Sequence, residues 1–278
     1  MIEHLIEHFS RLARRHFIAH EGRIMCWREF GGGRAAAPVL VLLHGGHGSW
    51  LHWLGNIDAL ASSHRLLVPD LPGYGESDAL PADAGFEGLV DMVGATLDRL
   101  VGEGTAVDLA GFSFGGVVAG CLAARRGGVR RLALLGAVGH GRRRRQSGGL
   151  LGWQDAPDEQ AMRAIMRHNL GVLMLHGPID ELALDIHYRS CIRTRYVSKK
   201  TSLSPVLTDA LARLALPVLM LWGEHDTTGD PREVGPLWQA GRPERAHEVI
   251  PGAGHWVQYE AALEVNRRLA DWFRPRPG

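Results

Sequence analysis

The chain has 278 residues, 45% apolar and 22% charged, with a formal net charge of +1 when its histidines are neutral. That length and apolar share suffice for one large core, and the near-zero charge excludes a global field directed at nucleic acid or an anionic membrane. No run approaches the roughly 18 apolar residues that span a bilayer, and the three cysteines (Cys26, Cys121 and Cys191) are too few and too widely spaced for a disulfide framework or a zinc site.

The opening MIEHLIEHFSRLARR reads as a short amphipathic helix without the basic-then-apolar order of a secretory signal, so a soluble, cytoplasmic protein is expected. RHFIAHEGRIMCWREFG reads as two strands around the turn His20-Glu21-Gly22-Arg23. VLVLL at Val39 to Leu43 is a continuous apolar run, as in a strand buried on both faces. RLLVPDLPG is another strand, ending at Pro69-Asp70, and Phe86 to Val101 has helical spacing. AVDLAG, VRRLALLGA, LPVLMLWG and AHEVIPG supply further strands, with a helix from Phe114 to Arg126 and a closing helix from Tyr259 to Phe273. Strands alternating with helices predict a mostly parallel sheet covered on both faces.

From about Gly139 to Pro205 the pattern is helical only, in DEQAMRAIMRHNLGVLML and IDELALDIHYRSCIRTRYV. An insertion there predicts a helical lid (139–205) over the carboxyl ends of the strands, where open α/β sheets bind ligands. The core would be 1–138 and 206–278. Trp153, Met162, Ile165, Met166 and Leu173 are candidates for the underside of the lid and would line a large apolar pocket. Arg142 to Arg145, next to Ser147-Gly148-Gly149, reads as a solvated hinge, with a dock for an acidic carrier or polyanion as the alternative. The only lysines are Lys199 and Lys200, a bias to which the sequence assigns no function.

GFSFGG at 111–116 raises the chemical question. A serine between Gly111 and Gly115, at a strand-to-helix turn, is either a helix N-cap or a nucleophile held at a strained apex. A serine hydroxyl needs a base, and the base an orienting acid. Asp226 in LWGEHD and His255 in IPGAGHW stand after the last two strands, in the chain order such a turn requires. Charge developing on a carbonyl oxygen needs fixed N–H donors. Phe114 N–H is one candidate. Gly46 N–H, in HGGHGSW, is the second, with Gly45 and His47 as alternatives.

Together HGG (44–46), DLPGYGESD (70–78), GFSFGG, WGEHD (222–226) and GAGHW (252–256) resemble the α/β-hydrolase superfamily. The resemblance implies an eight-stranded fold with the lid after the sixth strand, and a Ser113–His255–Asp226 triad. Haloalkane dehalogenases and epoxide hydrolases of that superfamily carry aspartate at the elbow, so serine points away from both. HGG with GHWVQYE at 254–260 looks like the meta-cleavage-product hydrolases, which cut a carbon–carbon bond in vinylogous 1,5-diketones. Trp256 matches the tryptophan after their histidine, whereas Phe112 stands where they have asparagine; both, with Gly45, His47 and Trp153, are candidates for substrate contact. Arg189 and Arg193 are the two candidates for the lid arginine that grips their substrate's carboxylate, and a solvated helix face is the alternative for both.

The sequence therefore reads as a serine hydrolase acting through an acyl-enzyme on a hydrophobic carboxylic ester or thioester. The substrate would be a small apolar molecule with a carbonyl, and no metal or cofactor is called for. Carbon–carbon hydrolysis is the alternative; a small-molecule receptor or a biosynthetic acyltransferase or cyclase shares the fold. A homodimer is left open.

Overall fold

A computed structural model of the chain describes residues 2–33, 37–145 and 148–274. Ser147, placed beside the lid hinge by the sequence, lies outside the described residues.

In chain order the elements are α1 (Ile2–Leu12), β1 (Arg14–His20), β2 (Arg23–Phe30), β3 (Val39–Leu43), a 3-10 turn (Trp50–Trp53), α2 (Ile57–Ala61), β4 (Arg65–Pro69), α3 (Gly85–Val101), β5 (Val107–Phe112), α4 (Phe114–Arg125), β6 (Val129–Leu135), α5 (Glu159–Leu173), α6 (Glu181–Cys191), α7 (Lys199–Leu203), α8 (Val206–Ala212), β7 (Val218–Gly223), α9 (Pro231–Gln239), β8 (Arg245–Ile250), α10 (Val257–Glu260) and α11 (Ala262–Trp272). The strands form one sheet in the order β1-β2-β4-β3-β5-β6-β7-β8. β1 and β2 are antiparallel, joined where His20 faces Arg23, and β2 meets β4 antiparallel. From β4 onward every pair is parallel.

The continuous apolar strands divide their side chains between two cores. On β3, Val39, Val41 and Leu43 join the layer under α3, α4 and α8; Leu40 and Leu42 join the opposite layer with α2, α11 and Trp53. Each fully buried side chain of this kind contributes about 1.5–3 kcal/mol. The second layer also takes Met166 and Leu170 of α5 and Ala183 and Leu184 of α6, so the helical insertion is seated on that side of the molecule.

Two expectations differ. The closing helix breaks at Ala261 (φ −117°, ψ 41°) into α10 and α11. The sequence did not register α9, which contains Pro236 and offers only Val234 and Trp238 as large buried apolar side chains.

Crossing from β5 into α4 requires two glycines. A Cβ on Gly111 would strike the Gly115 carbonyl, and one on Gly115 the carbonyls of Leu43 and His44. Gly115→Ala is expected to lower stability by about 1–3 kcal/mol, the usual cost of forcing extra volume into a packed site. Urea unfolding measures it, and an unchanged midpoint would mean the turn has room.

Candidate active site

Ser113 sits at the apex of that turn with φ 52° and ψ −116°, a region non-glycine residues rarely enter. Its amide donates to Leu135 O (2.8 Å), which ties the apex to β6. Its hydroxyl makes no capping bond to α4, so the N-cap reading fails. The hydroxyl lies instead 2.9 Å from His255 Nε2. His255 Nδ1 is 2.9 Å from Asp226 Oδ2. A carboxylate only accepts, so Nδ1 carries the proton and Nε2 is free to accept from Ser113.

The loops after β7 and β8 hold these two side chains together. Glu224 N–H donates to Ile250 O and His225 N–H to Ala253 O, so each loop braces the other. Asp226 is fully buried, and its Oδ1 accepts both the amide and the hydroxyl of Thr228, each at 2.7 Å. Phe112 packs beside the His255 ring at 5.1 Å between centroids.

Two neutral imidazoles fix the loop after β3. His44 Nδ1–H donates to Gly45 O (2.8 Å) while its Nε2 accepts from Leu71 N–H (2.9 Å). Gly45 N–H donates to His52 Nδ1 (3.3 Å). Burial pushes His44 down to about 4 and His52 well below its ordinary value, and both are held uncharged at neutral pH. Beyond them, Asp70 accepts from Trp50 N–H, Glu76 N–H and Arg28 Nη1 at 2.9–3.0 Å. Burial alone would raise the Asp70 carboxyl; Arg28 and these donors outweigh it and hold it below the usual range.

Ser113, His255, Phe112, Phe114, Gly46 and His47 line one cavity of about 200 Å³. Asp226 stands behind His255. Gly45 does not belong with them as a donor, because His52 takes its N–H. The insertion contributes Leu150, Leu173, Ser198, Lys199 and Ser202, and Arg144 completes that wall. The cavity is small, not the large pocket the apolar insertion suggested.

Several expectations about substrate contacts differ from the structure. Arg189 and Arg193 line a different cavity of about 450 Å³, with Arg28, Trp50 and Tyr188, and Arg189 is paired with Asp185 at 2.6 Å. Trp153 packs against the apolar layer that holds Met166 and does not line the Ser113 cavity. Trp256 is fully buried; it stacks on Tyr259 and donates from Nε1 to His52 O. The Arg142–Arg145 stretch is solvated as expected at Arg142, Arg143 and Arg145, but Arg145 is tethered to Glu224 O and Arg144 lines the cavity.

The sequence missed His52, Thr228, Ser198 and Arg144. The proximity of Thr228 to Asp226 in the chain was a usable signal. Nothing in SWLHWLGN distinguishes His52. Among the described residues, only Cys26, Asp70 and Glu76 have metal-ligand spacing. Arg28 already donates to both carboxylates there.

The alpha/beta hydrolase family matches residues 40–268, so the chain belongs to that family. It is 30% identical to the 2-hydroxymuconate semialdehyde hydrolase of Pseudomonas sp. (strain CF600), over 84% of this chain and 86% of that protein. It is 31% identical to the dihydrolipoyllysine-residue acetyltransferase component of an acetoin cleaving system from Pseudomonas putida, over 91% of this chain and 67% of that protein. In fold it is similar to an enol-lactonase from Burkholderia xenovorans LB400, with a TM-score of 0.76 and 21% identity, covering 94% of this chain and 100% of that one. These likenesses support a hydrolase of this family. Among the described residues no helix is long and apolar enough to cross a membrane.

His52→Phe leaves the buried Gly45 N–H without an acceptor and is expected to cost about 1–3 kcal/mol of stability; thermal unfolding checks it, and an unchanged midpoint would refute the clamp. The buried imidazoles also predict a pH dependence. His44, fully buried, and the half-buried His187 of α6 have folded values lowered from 6.5 to about 4 by desolvation. The unfolded chain therefore takes up protons first, and stability present above pH 6.5 is lost as pH falls towards 4, by roughly 1.4 kcal/mol per unit for each histidine. A melting temperature that stays flat from pH 7 to pH 4 would contradict this.

Proposed function

We propose that the chain is a serine hydrolase that cleaves a carboxylic ester or thioester through an acyl-enzyme. The observation that carries this reading is the unbroken contact chain from Asp226 through His255 to Ser113, with the serine hydroxyl opening into a cavity.

In this mechanism His255 Nε2 takes the Ser113 proton as Oγ attacks the substrate carbonyl. Negative charge develops on the carbonyl oxygen, between Phe114 N–H at the start of α4 and Gly46 N–H. One such donor is worth roughly 3 kcal/mol of barrier. Gly46 fits the role because its loop is pinned through Gly45 and because it borders the serine's cavity. Asp226 keeps the proton on Nδ1 and stabilises the imidazolium. His255 then protonates the leaving group, and water activated by the same imidazole releases the acid. Residues 139–205 act as the lid, since Leu150 and Leu173 close one side of the cavity. At about 200 Å³ the cavity lies below the roughly 300–1,000 Å³ of drug-sized ligand sites, which favours a short acyl group.

A second reading has a specific support. The similarity to 2-hydroxymuconate semialdehyde hydrolase extends over most of both chains, and carbon–carbon hydrolysis of a diketone uses the same groups. Ser113→Ala is expected to lower kcat/KM on 4-nitrophenyl butyrate by at least about 10,000-fold, and a fluorophosphonate is expected to label Ser113 in the native protein alone. A variant with parental turnover would sink the assignment. Comparing that ester with a 2-hydroxy-6-oxo-dienoate separates the two reactions.

A further inference from the structure

Two cationic side chains face the cavity that holds the nucleophile. Arg144 and Lys199 both line it, and both also line an adjoining cavity of about 190 Å³. The two spaces share Leu150 and Leu173 as well, so they form inner and outer compartments of one site. Val172 and Leu203 add apolar surface to the outer one. Arg142 and Arg143 lead into Arg144, and Lys200 follows Lys199; all three are exposed.

None of these five side chains makes an ion pair or hydrogen bond among the described residues. That is unusual here, because most other arginines of the chain hold a carboxylate or a carbonyl. Asp226 acts electrostatically on Arg144 alone among them, so the group carries more positive charge than its surroundings balance and favours an anionic partner. The chain's only two lysines fall within this group.

The cations also have a side. Arg145, next to Arg144, donates to Glu224 O and is within 3.5 Å of Asp226 O, so this stretch lies over the acid loop behind His255. His255 is the group that would protonate the departing atom. Arg144 therefore lies on the leaving-group side, whereas Lys199 follows the Ser198 that meets Gly46 and lines the same two cavities.

We propose that the substrate is a short-chain acyl thioester whose leaving group carries several phosphate charges, held by Arg144, Lys199 and their flanking bases at the mouth. The inference rests on the acyl-enzyme reading above. The uncharged arm between thioester and phosphates crosses the apolar outer compartment. Ser113 Oγ forms the acyl bond as the carbon–sulfur bond breaks, and the Ser113 proton passes through His255 to the sulfur, which leaves as a thiol. Water then takes the acyl group and returns the enzyme. A single carboxylate would need one arginine, whereas two cations lining both cavities, with three more exposed bases next to them in the chain, match a multiply charged phosphate group.

The test compares butyryl-coenzyme A with S-butyryl-N-acetylcysteamine, which has the same thioester and no charge. The coenzyme A thioester is expected to have at least a tenfold higher kcat/KM at low ionic strength, and the advantage should shrink as salt screens the mouth. Combining Arg144→Gln with Lys199→Gln should cut the ratio of the two substrates about tenfold, with thermal unfolding as the folding control. The salt titration of the parent enzyme tests the same point without a variant. Equal rates on the two thioesters, or a preference indifferent to salt and to the variant, would overturn the proposal. Turnover of an acylated acidic carrier protein but not of the coenzyme A thioester would also overturn it and assign the patch to protein docking. Hydrolysis of 4-nitrophenyl butyrate and the neutral thioester without a coenzyme A preference leaves the acyl-enzyme reading standing alone. No turnover of any of these, with no labelling of Ser113, brings down both.

Discussion

The turn between β5 and α4 is the constraint on which the site depends. A parallel strand must reverse into a helix packed on the same sheet, and the chain has no length to do so gently. Ser113 takes the strain at a backbone conformation that costs of order 1–3 kcal/mol. The neighbouring backbone of β3 comes so close that only glycine fits at position 115. Such a turn points the hydroxyl away from its own helix. Having no cap to make, the hydroxyl meets His255.

The loop facing it is rigid for a different reason. A glycine loop next to a reacting group would move freely unless its peptide groups were engaged. Here both polar groups of Gly45 are occupied, its carbonyl by His44 and its amide by His52. Each imidazole is buried and neutral, so each offers one donor and one acceptor with a defined tautomer. The next support is ionic, because Asp70 holds the Trp50 amide while Arg28 balances its charge. Removing Arg28 would leave a buried carboxylate, a loss that generally costs several kcal/mol. The geometry at Gly46 is thus set by residues that stand outside the Ser113 cavity.

This division explains what the sequence disclosed. The central strands were legible because burial on both faces needs an unbroken apolar run, and VLVLL became β3 to the residue. Ser113, Asp226 and His255 were legible because strand order dictates where each must stand. The insertion was not legible, because helical spacing gives a face but not its direction. Arg189 and Arg193 lie on or just beyond the predicted helix, yet they border another cavity. A run of four arginines usually marks a solvated segment, and only the contacts of Arg145 with the acid loop show why this one is anchored. His52 escaped notice because an isolated histidine in an apolar stretch carries no pattern.

The same division separates chemistry from selection. The groups proposed to move protons or bind developing charge come from loops at the ends of β3, β5, β7 and β8, where the sheet fixes their spacing. One wall of the Ser113 cavity comes from the segment between β6 and α8. That segment packs through Met166 and Leu170 in the same apolar layer as Phe112, the residue before Ser113. A Cβ at Gly46 would sit 2.6 Å from Ser198 Oγ, so the two halves meet closely there. At that point a change in the insertion would reach the reacting centre directly. Ser198 therefore links the insertion to the loop proposed to stabilise the transition state.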